Sequence, residues 1–151
     1  MSNVHLVVLG AGPGGYSAAF YAADQGYKVT LVDAADKLGG VCLHRGCIPS
    51  KALLHVSGLM AKIRQAKDFG IDFHSPHIDL KILNEWKEGI VSKFSDGLGQ
   101  LCKQRGITYV TGQGVFVNSN TIKISGGQSI VFDRCIIATG SRPVVPDQFV
   151  D

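Results

Sequence analysis

The sequence predicts an α/β fold: a mainly parallel sheet with helices packed on it and a small antiparallel β-meander. Two patterns carry this reading. The first is a β-α-β unit spanning roughly the first 30 residues, with Val4–Leu9 and Lys28–Val32 as strands around an Ala-rich helix. Such a unit implies a parallel pair joined by a right-handed crossover. The second is a set of three short alternating runs, Val115–Val117, Thr121–Ile124 and Ile130–Phe132. Asn118-Ser119-Asn120 and Ser125-Gly126-Gly127 separate them as turns.

Val4–Leu9 is a nearly unbroken apolar run ending in glycine, as a strand buried on both faces requires. Pro13–Gln25 reads as a helix closed by Gly26. Lys28–Val32 is β-branched and ends at Asp33. Pro49 to about Lys67 reads as the next helix, with Leu53, Leu54, Met60 and Ile63 as its apolar positions. Phe69–Pro76 is a loop. From Asp79 to Arg105 apolar residues recur at spacings of three and four: Ile82, Leu83, Trp86, Ile90, Phe94, Leu98 and Leu101. Gly106 stops this helix, and Ile107–Val110 is the next strand. After the meander, Cys135–Ala138 reads as a last buried strand. Arg142–Asp151 is Pro-rich. The domain is therefore placed at residues 1–146, with a linker starting at 147–151.

The 151 residues suffice for one domain with its own core. A hydrophobic fraction of 45% and a charged fraction of 18% are those of an ordinary globular protein. The net charge of +3 comes without any Lys or Arg run, so nucleic-acid binding gains no support. No apolar stretch approaches the roughly 18 residues of a membrane span. A strand is read almost at once after Met1-Ser2-Asn3, so no targeting peptide is expected. The expected location is the cytoplasm of a prokaryote. Four Cys in such a chain argue for thiol chemistry or metal rather than a secreted disulfide scaffold.

Two motifs carry chemistry. Gly10-Ala11-Gly12-Pro13-Gly14-Gly15 is a GxGxxG turn between strand and helix. The first Gly makes the turn, the second lets backbone approach a pyrophosphate, and the third lets helix pack on strand. The helix N-terminus adds free N–H groups and a positive dipole. Asp33, at the end of the second strand, can accept hydrogen bonds from ribose hydroxyls; a solvated strand-end acid is its other reading. Together these are the features of a Rossmann-like dinucleotide site.

The second motif is Gly39-Gly40-Val41-Cys42-Leu43-His44-Arg45-Gly46-Cys47-Ile48-Pro49-Ser50-Lys51. Residues five apart in an ideal helix have Cα atoms about 8–9 Å apart. A disulfide needs less than about 7 Å. If Cys42 and Cys47 pair, regular helix must break between them, and the flanking glycines permit that. Pro49 suits the first turn of a helix that starts afterwards. Three readings stand at this level: a redox disulfide, a metal site on Cys42, His44 and Cys47, or inert core cysteines. Structural zinc would want a fourth ligand. Lys51 lies one helical turn beyond Cys47 and can stabilise a thiolate; Arg45 can lower a neighbouring thiol pKa. Cys102 and Cys135 are isolated and read as buried apolar residues. His5, His55, His74 and His77 have no catalytic context.

From Val4 to about Pro146 the chain resembles the pyridine nucleotide–disulfide oxidoreductases that use FAD. The most specific part runs from Gly39 to Leu54. Glutathione and mercuric reductases share the Cys pair. The wording Ile48-Pro49-Ser50-Lys51-Ala52-Leu53-Leu54-His55 is most similar to the dihydrolipoamide dehydrogenases. Thr111-Gly112-Gln113-Gly114 resembles the family's Gly-x-Gly segment near the adenine end of FAD. Ala138-Thr139-Gly140-Ser141 resembles its strand-end motif that approaches the cofactor.

The resemblance implies roles. Cys42 would exchange with a dithiol substrate, Cys47 would lie against the flavin, and Lys51 beside the flavin ring. Gly10, Gly12 and Gly15 would hold the pyrophosphate with Pro13 and Gly14, and Asp33 the adenosine ribose. Gly40, Val41, Cys42, Lys51, Gly114, Ala138, Thr139, Gly140 and Ser141 complete the implied cofactor set; no metal is implied. Electrons would pass from dihydrolipoamide on a lipoyl carrier protein of a 2-oxo acid dehydrogenase complex to the Cys pair, to FAD and to NAD+. The family's full chain is a homodimer with an NAD domain and a dimer-interface domain that brings a His–Glu pair. The expectation is therefore an N-terminal segment that is inactive alone, with a non-catalytic FAD-binding module as the alternative for the chain itself. Three positions depart from the family pattern: His44 stands for the usual Asn, Arg45 for a small apolar residue, and Asp33 for the usual Glu.

Overall fold

A computed structural model describes residues 4–74 and 76–149. Residues 1–3 of the start, position 75 of the Phe69–Pro76 loop and the 150–151 end of the linker lie outside the described residues.

β1 (His5–Leu9), α1 (Pro13–Asp24) and β2 (Lys28–Asp33) form the expected β-α-β unit, and Gly26 closes α1 with a left-handed φ of 85°. α2 (Gly40–Arg45) and α3 (Cys47–Gln65) follow, then a 3-10 turn at Ala66–Phe69. α4 (Leu80–Gln104) starts at Asp79, whose carboxylate accepts from the Lys81 and Ile82 N–H groups. β3 (Thr108–Thr111), β4 (Gly114–Asn118), β5 (Thr121–Ile124), β6 (Ser129–Val131) and β7 (Arg134–Ile137) follow, and a 3-10 turn at Asp147–Phe149 ends the order.

The sheet order is β3-β2-β1-β7, all parallel. β4-β5-β6 is a separate antiparallel meander. The period of two along β1 explains how the layers assemble. Leu6 and Val8 point to one face, where they pack with Ala19, Ala22, Cys102 and Ile107 beneath the helices. Val7 and Leu9 point to the other, where they pack with Ile122, Ile124, Ile130 and Phe132 of the meander. Both faces of β1 and β2 are thus covered, which accounts for their unbroken apolar runs. His5 ties the same layers together: Nδ1 lies 2.8 Å from the Val131 carbonyl oxygen and Nε2 2.8 Å from Thr30 Oγ1.

Two expectations about burial are corrected. The last strand is not buried: Ile137 is 66% and Ile136 37% exposed, and Cys135 is half-buried. β7 is an edge strand with a neighbour on one side alone, and the segment after it runs off as an exposed coil. Nor does the apolar stripe of α4 reach the core as a whole. α4 buries Val91, Ser95 and Cys102, whereas Ile82, Trp86, Phe94 and Leu101 remain exposed. α3 likewise buries Ala52 and exposes Leu53 and Leu54. The helical period was right; the covering layer is thinner than the period implies.

Candidate functional site: a phosphate-type cleft beside a thiol pair

The C-terminal ends of β1, β2 and β7 open on a cleft of about 770 Å³. Its lining gathers Gly10, Gly12, Pro13, Gly14, Asp33, Gly40, Val41, Ala138, Thr139, Gly140 and Ser141, eleven of the residues implied for a cofactor. Backbone approach builds its floor. A Cβ on Gly40, whose φ is 60°, would sit 2.6 Å from Gly12 Cα, so only glycine lets α2 come this close to the turn. Gly15 is buried under Gly10 and serves packing rather than lining.

Gly12 and Gly14 differ from these. A Cβ on either would meet no protein atom nearer than 3.9 Å. Their missing side chains therefore leave room in the cleft rather than relieve a clash. α1 starts at Gly12 with no side-chain cap and no acidic residue in its first turn. Its first N–H groups are left for a ligand, unlike those of α4, which Asp79 caps. Room plus uncapped donors fits a phosphate-bearing group.

The Asp33 carboxylate accepts from the Ala11 and Ala35 N–H groups, one oxygen to each. It pins the glycine turn to the loop after β2 and keeps further lone pairs for a hydroxyl. The Tyr109 hydroxyl donates to the Ala35 carbonyl oxygen at 2.6 Å and fixes the same loop. Burial first, then the Asp33 and Asp36 carboxylates, pushes the Tyr109 phenol up from 10 to about 12. The fold favours the protonated phenol. Its contribution is full below pH 10 and is lost as pH rises through about 12. Tyr109 keeps part of its surface in water, so screening leaves about 1 kcal/mol of this. Urea denaturation should show the wild type losing about that much more stability than Tyr109→Phe across this window. Parallel pH curves for the two chains would refute the assignment.

The thiol pair sits where the helix breaks. α2 ends at Arg45, Gly46 takes φ −129° and ψ −110°, and α3 starts at Cys47 with Pro49 in its first turn. Both cysteines are free thiols, and Cys47 bears on Cys42: its side chain is the first cause that pushes the Cys42 thiol up, with desolvation and the Cys47 charge behind it. Cys42 is half-buried and faces a second cavity of about 480 Å³, lined also by Tyr16, Leu43, Ile48, Phe94, Leu98 and Leu101. Phe94 and Leu101, exposed residues of α4 that looked surplus to the core, form part of this cavity's wall. Nothing in the sequence pattern pointed to it, because Tyr16, Cys42 and Phe94 meet only in the fold.

Other predicted residues lie apart from the cleft. Cys47 and Lys51 are exposed and line neither cavity. Gly114 is a packing glycine, where a Cβ would lie 2.9 Å from Ile122 Cγ2 and 3.0 Å from Leu9 Cδ2. His44 points Nε2 at the Leu38 carbonyl oxygen at 2.8 Å. Among the described residues no three ligating side chains are grouped to hold a metal ion.

A family model described as pyridine nucleotide-disulphide oxidoreductase matches residues 4–149. The chain belongs to this family. The dihydrolipoyl dehydrogenase of Vibrio parahaemolyticus is 47% identical over 145 residues, covering 94% of this chain and 30% of that protein. Dihydrolipoyl dehydrogenase 3 of Haloarcula marismortui is 42% identical over 149 residues, covering 95% of this chain and 31% of that one. Among solved structures, the HOCl-induced flavoprotein disulfide reductase RclA from Escherichia coli aligns with a TM-score of 0.76 and 26% identity, over 95% of this chain and 29% of its own. The chain spans about 30% of the length of the curated relatives it matches. Among the described residues no helix is long and apolar enough to cross a membrane.

Proposed function

We propose that this chain is the FAD-binding and thiol-bearing segment of a dihydrolipoamide dehydrogenase, which oxidises dihydrolipoamide with NAD+. One observation carries the reading: two thiols flanking the helix break at Gly46 stand beside a phosphate-type cleft, and the first of them lines an apolar cavity. Gly12, Gly14, Asp33, Val41 and Thr139 would hold FAD, with Gly10 and Gly15 shaping the turn. When bound, FAD supplies the two-electron acceptor for the reduced pair, and NAD+ takes the electrons last.

The chain's own residues perform the thiol exchange. With Cys42 and Cys47 oxidised, a substrate thiolate attacks the Cys42 sulfur and the Cys42–Cys47 bond breaks. Cys47 leaves as the thiolate. The second substrate thiol then attacks the substrate sulfur of the mixed disulfide, and Cys42 leaves. One disulfide is made and one is lost, with two electrons moved to the chain. The natural substrate is a lipoyl group on a carrier protein of a 2-oxo acid dehydrogenase complex. The whole protein works as a cytoplasmic homodimer.

The lining is mostly apolar, with Lys93, Gln100 and Gln104 as its charged and amide side chains, and favours a lipoyl arm over glutathione, which would bring two carboxylates and an ammonium against Leu43, Ile48, Phe94, Leu98 and Leu101. Burying about two methylenes at roughly 0.8 kcal/mol each is worth about tenfold. The oxidised 151-residue chain should therefore be reduced by dihydrolipoamide about tenfold faster than by the polar dithiol dithiothreitol, with thiol release followed by mass spectrometry. Equal rates, or faster reduction by glutathione, would shift the assignment to another disulfide reductase.

A further inference from the structure

α2 divides its side chains between two sites. Cys42 faces the apolar cavity, while Val41, His44 and Arg45 line the cofactor cleft. Positions 41, 44 and 45 are three and four residues apart, so they share one helical face. His44 is committed to the Leu38 carbonyl oxygen. Arg45 is exposed and belongs to none of the ion pairs formed among the described residues. The cleft's other charged groups come from the end of β2 and the loop after it: Asp33, Asp36 and Lys37. Asp33 is already bound to two backbone N–H groups. The glycine turn and the Ala138–Ser141 segment bring no charge.

A diphosphate seated at the uncapped start of α1 would thus have two exposed cations, Lys37 and Arg45, within the same cleft. Of these, Arg45 presents a planar fork of donors suited to phosphate oxygens. We propose that Arg45 is a positioning residue for the ADP half of the dinucleotide. The proposal rests on the cofactor reading above.

The test is a titration of ADP, and of adenosine as the uncharged control, into the 151-residue chain by NMR, a method suited to weak binding. Arg45→Gln should weaken ADP about fivefold at low salt, as one solvent-exposed charged contact would. The gap should close at high salt, since screening weakens exposed charges. Arg45→Lys should restore part of it, and adenosine should bind all variants alike. Because Arg45 is exposed, these changes should leave the far-UV circular dichroism untouched. Unchanged ADP affinity in Arg45→Gln, or an equal loss with adenosine, would overturn the proposal and leave the cofactor reading standing. A wild-type chain that bound neither ADP nor FAD would overturn both.

Discussion

Gly15→Ala should destabilise the chain by about 3 kcal/mol or prevent folding, while Gly12→Ala should leave the fold intact and empty the cleft. The two glycines belong to one motif but face different neighbours. A Cβ at Gly15 would overlap the Gly10 carbonyl, and next to it stands Ala138 Cβ at 3.5 Å. Gly10 is itself held in a left-handed turn with φ 97°, and its N–H donates to the Val32 carbonyl oxygen at 2.7 Å. Neither side of the clash is the end of a flexible side chain. Relief would require α1 to lift from β1, and that would open the cluster of Leu6, Val8, Ala19 and Leu31 beneath it. At Gly12 the added methyl would find open space, with Gly40 Cα nearest at 3.9 Å. It would occupy volume that a pyrophosphate needs. Urea denaturation and an FAD or ADP titration on both variants would separate the effects. Wild-type stability in Gly15→Ala would show that the turn is looser than its geometry indicates. Unaltered ligand affinity in Gly12→Ala would remove that glycine from the binding floor.

The local code for this fold was legible wherever one residue type answers one local demand. The helical period starting at Asp79 marked the boundary of α4, and the Asp79 carboxylate accepts from its first N–H groups. Gly26 and Gly106 ended helices because the chain turns left-handed there, with φ of 85° and 66°. The parallel sheet and the meander followed from unbroken and alternating apolar runs, each a direct print of how many faces are covered. Exposure was less legible. Ile137 and Phe94 carry the same apolar signal as Leu31, yet 66% and 55% of their surfaces face water. Composition reports that a residue prefers cover, not which element supplies it. The site divides in the same way. The glycine turn and the Cys pair announced themselves because their backbone geometry restricts residue choice. The Cys42 cavity did not, being assembled from α1, α2, α3 and α4 by ordinary apolar side chains. Nor did the Asp33 hydrogen bonds, since a carboxylate can serve ribose or backbone without any change in the sequence around it.

The largest functional effect should come from the thiol pair. Cys42→Ser and Cys47→Ser should each abolish the dithiol oxidation proposed for the whole protein, by at least about 10³-fold, because a hydroxyl does not form a disulfide under these conditions. The two variants should nevertheless differ. Cys42→Ser leaves Cys47, which is exposed, and a thiol-reactive probe should label it rapidly. Cys47→Ser leaves Cys42, half-buried and facing the apolar cavity, so labelling should be slow for polar reagents and faster for apolar ones. It also replaces the ionisable Cys47 thiol, whose side chain is the first cause that pushes the Cys42 thiol up, by a hydroxyl that carries no charge, so the Cys42 thiolate should form at lower pH than in the wild type. A labelling rate measured against pH would show this as a shift toward neutrality. In the wild type, mild oxidation should join Cys42 to Cys47 and leave Cys102 and Cys135 reduced. Burial pushes both of those thiols up, and they pack on opposite faces of the parallel sheet, Cys102 under the helices and Cys135 against the meander cluster. Peptide mapping of the oxidised chain reads the connectivity directly. A Cys102–Cys135 bridge, or Cys42 and Cys47 still free after an oxidant has modified the chain elsewhere, would mean that the break at Gly46 does not bring the two sulfurs to bonding geometry, and the exchange chemistry proposed for them would fall with it.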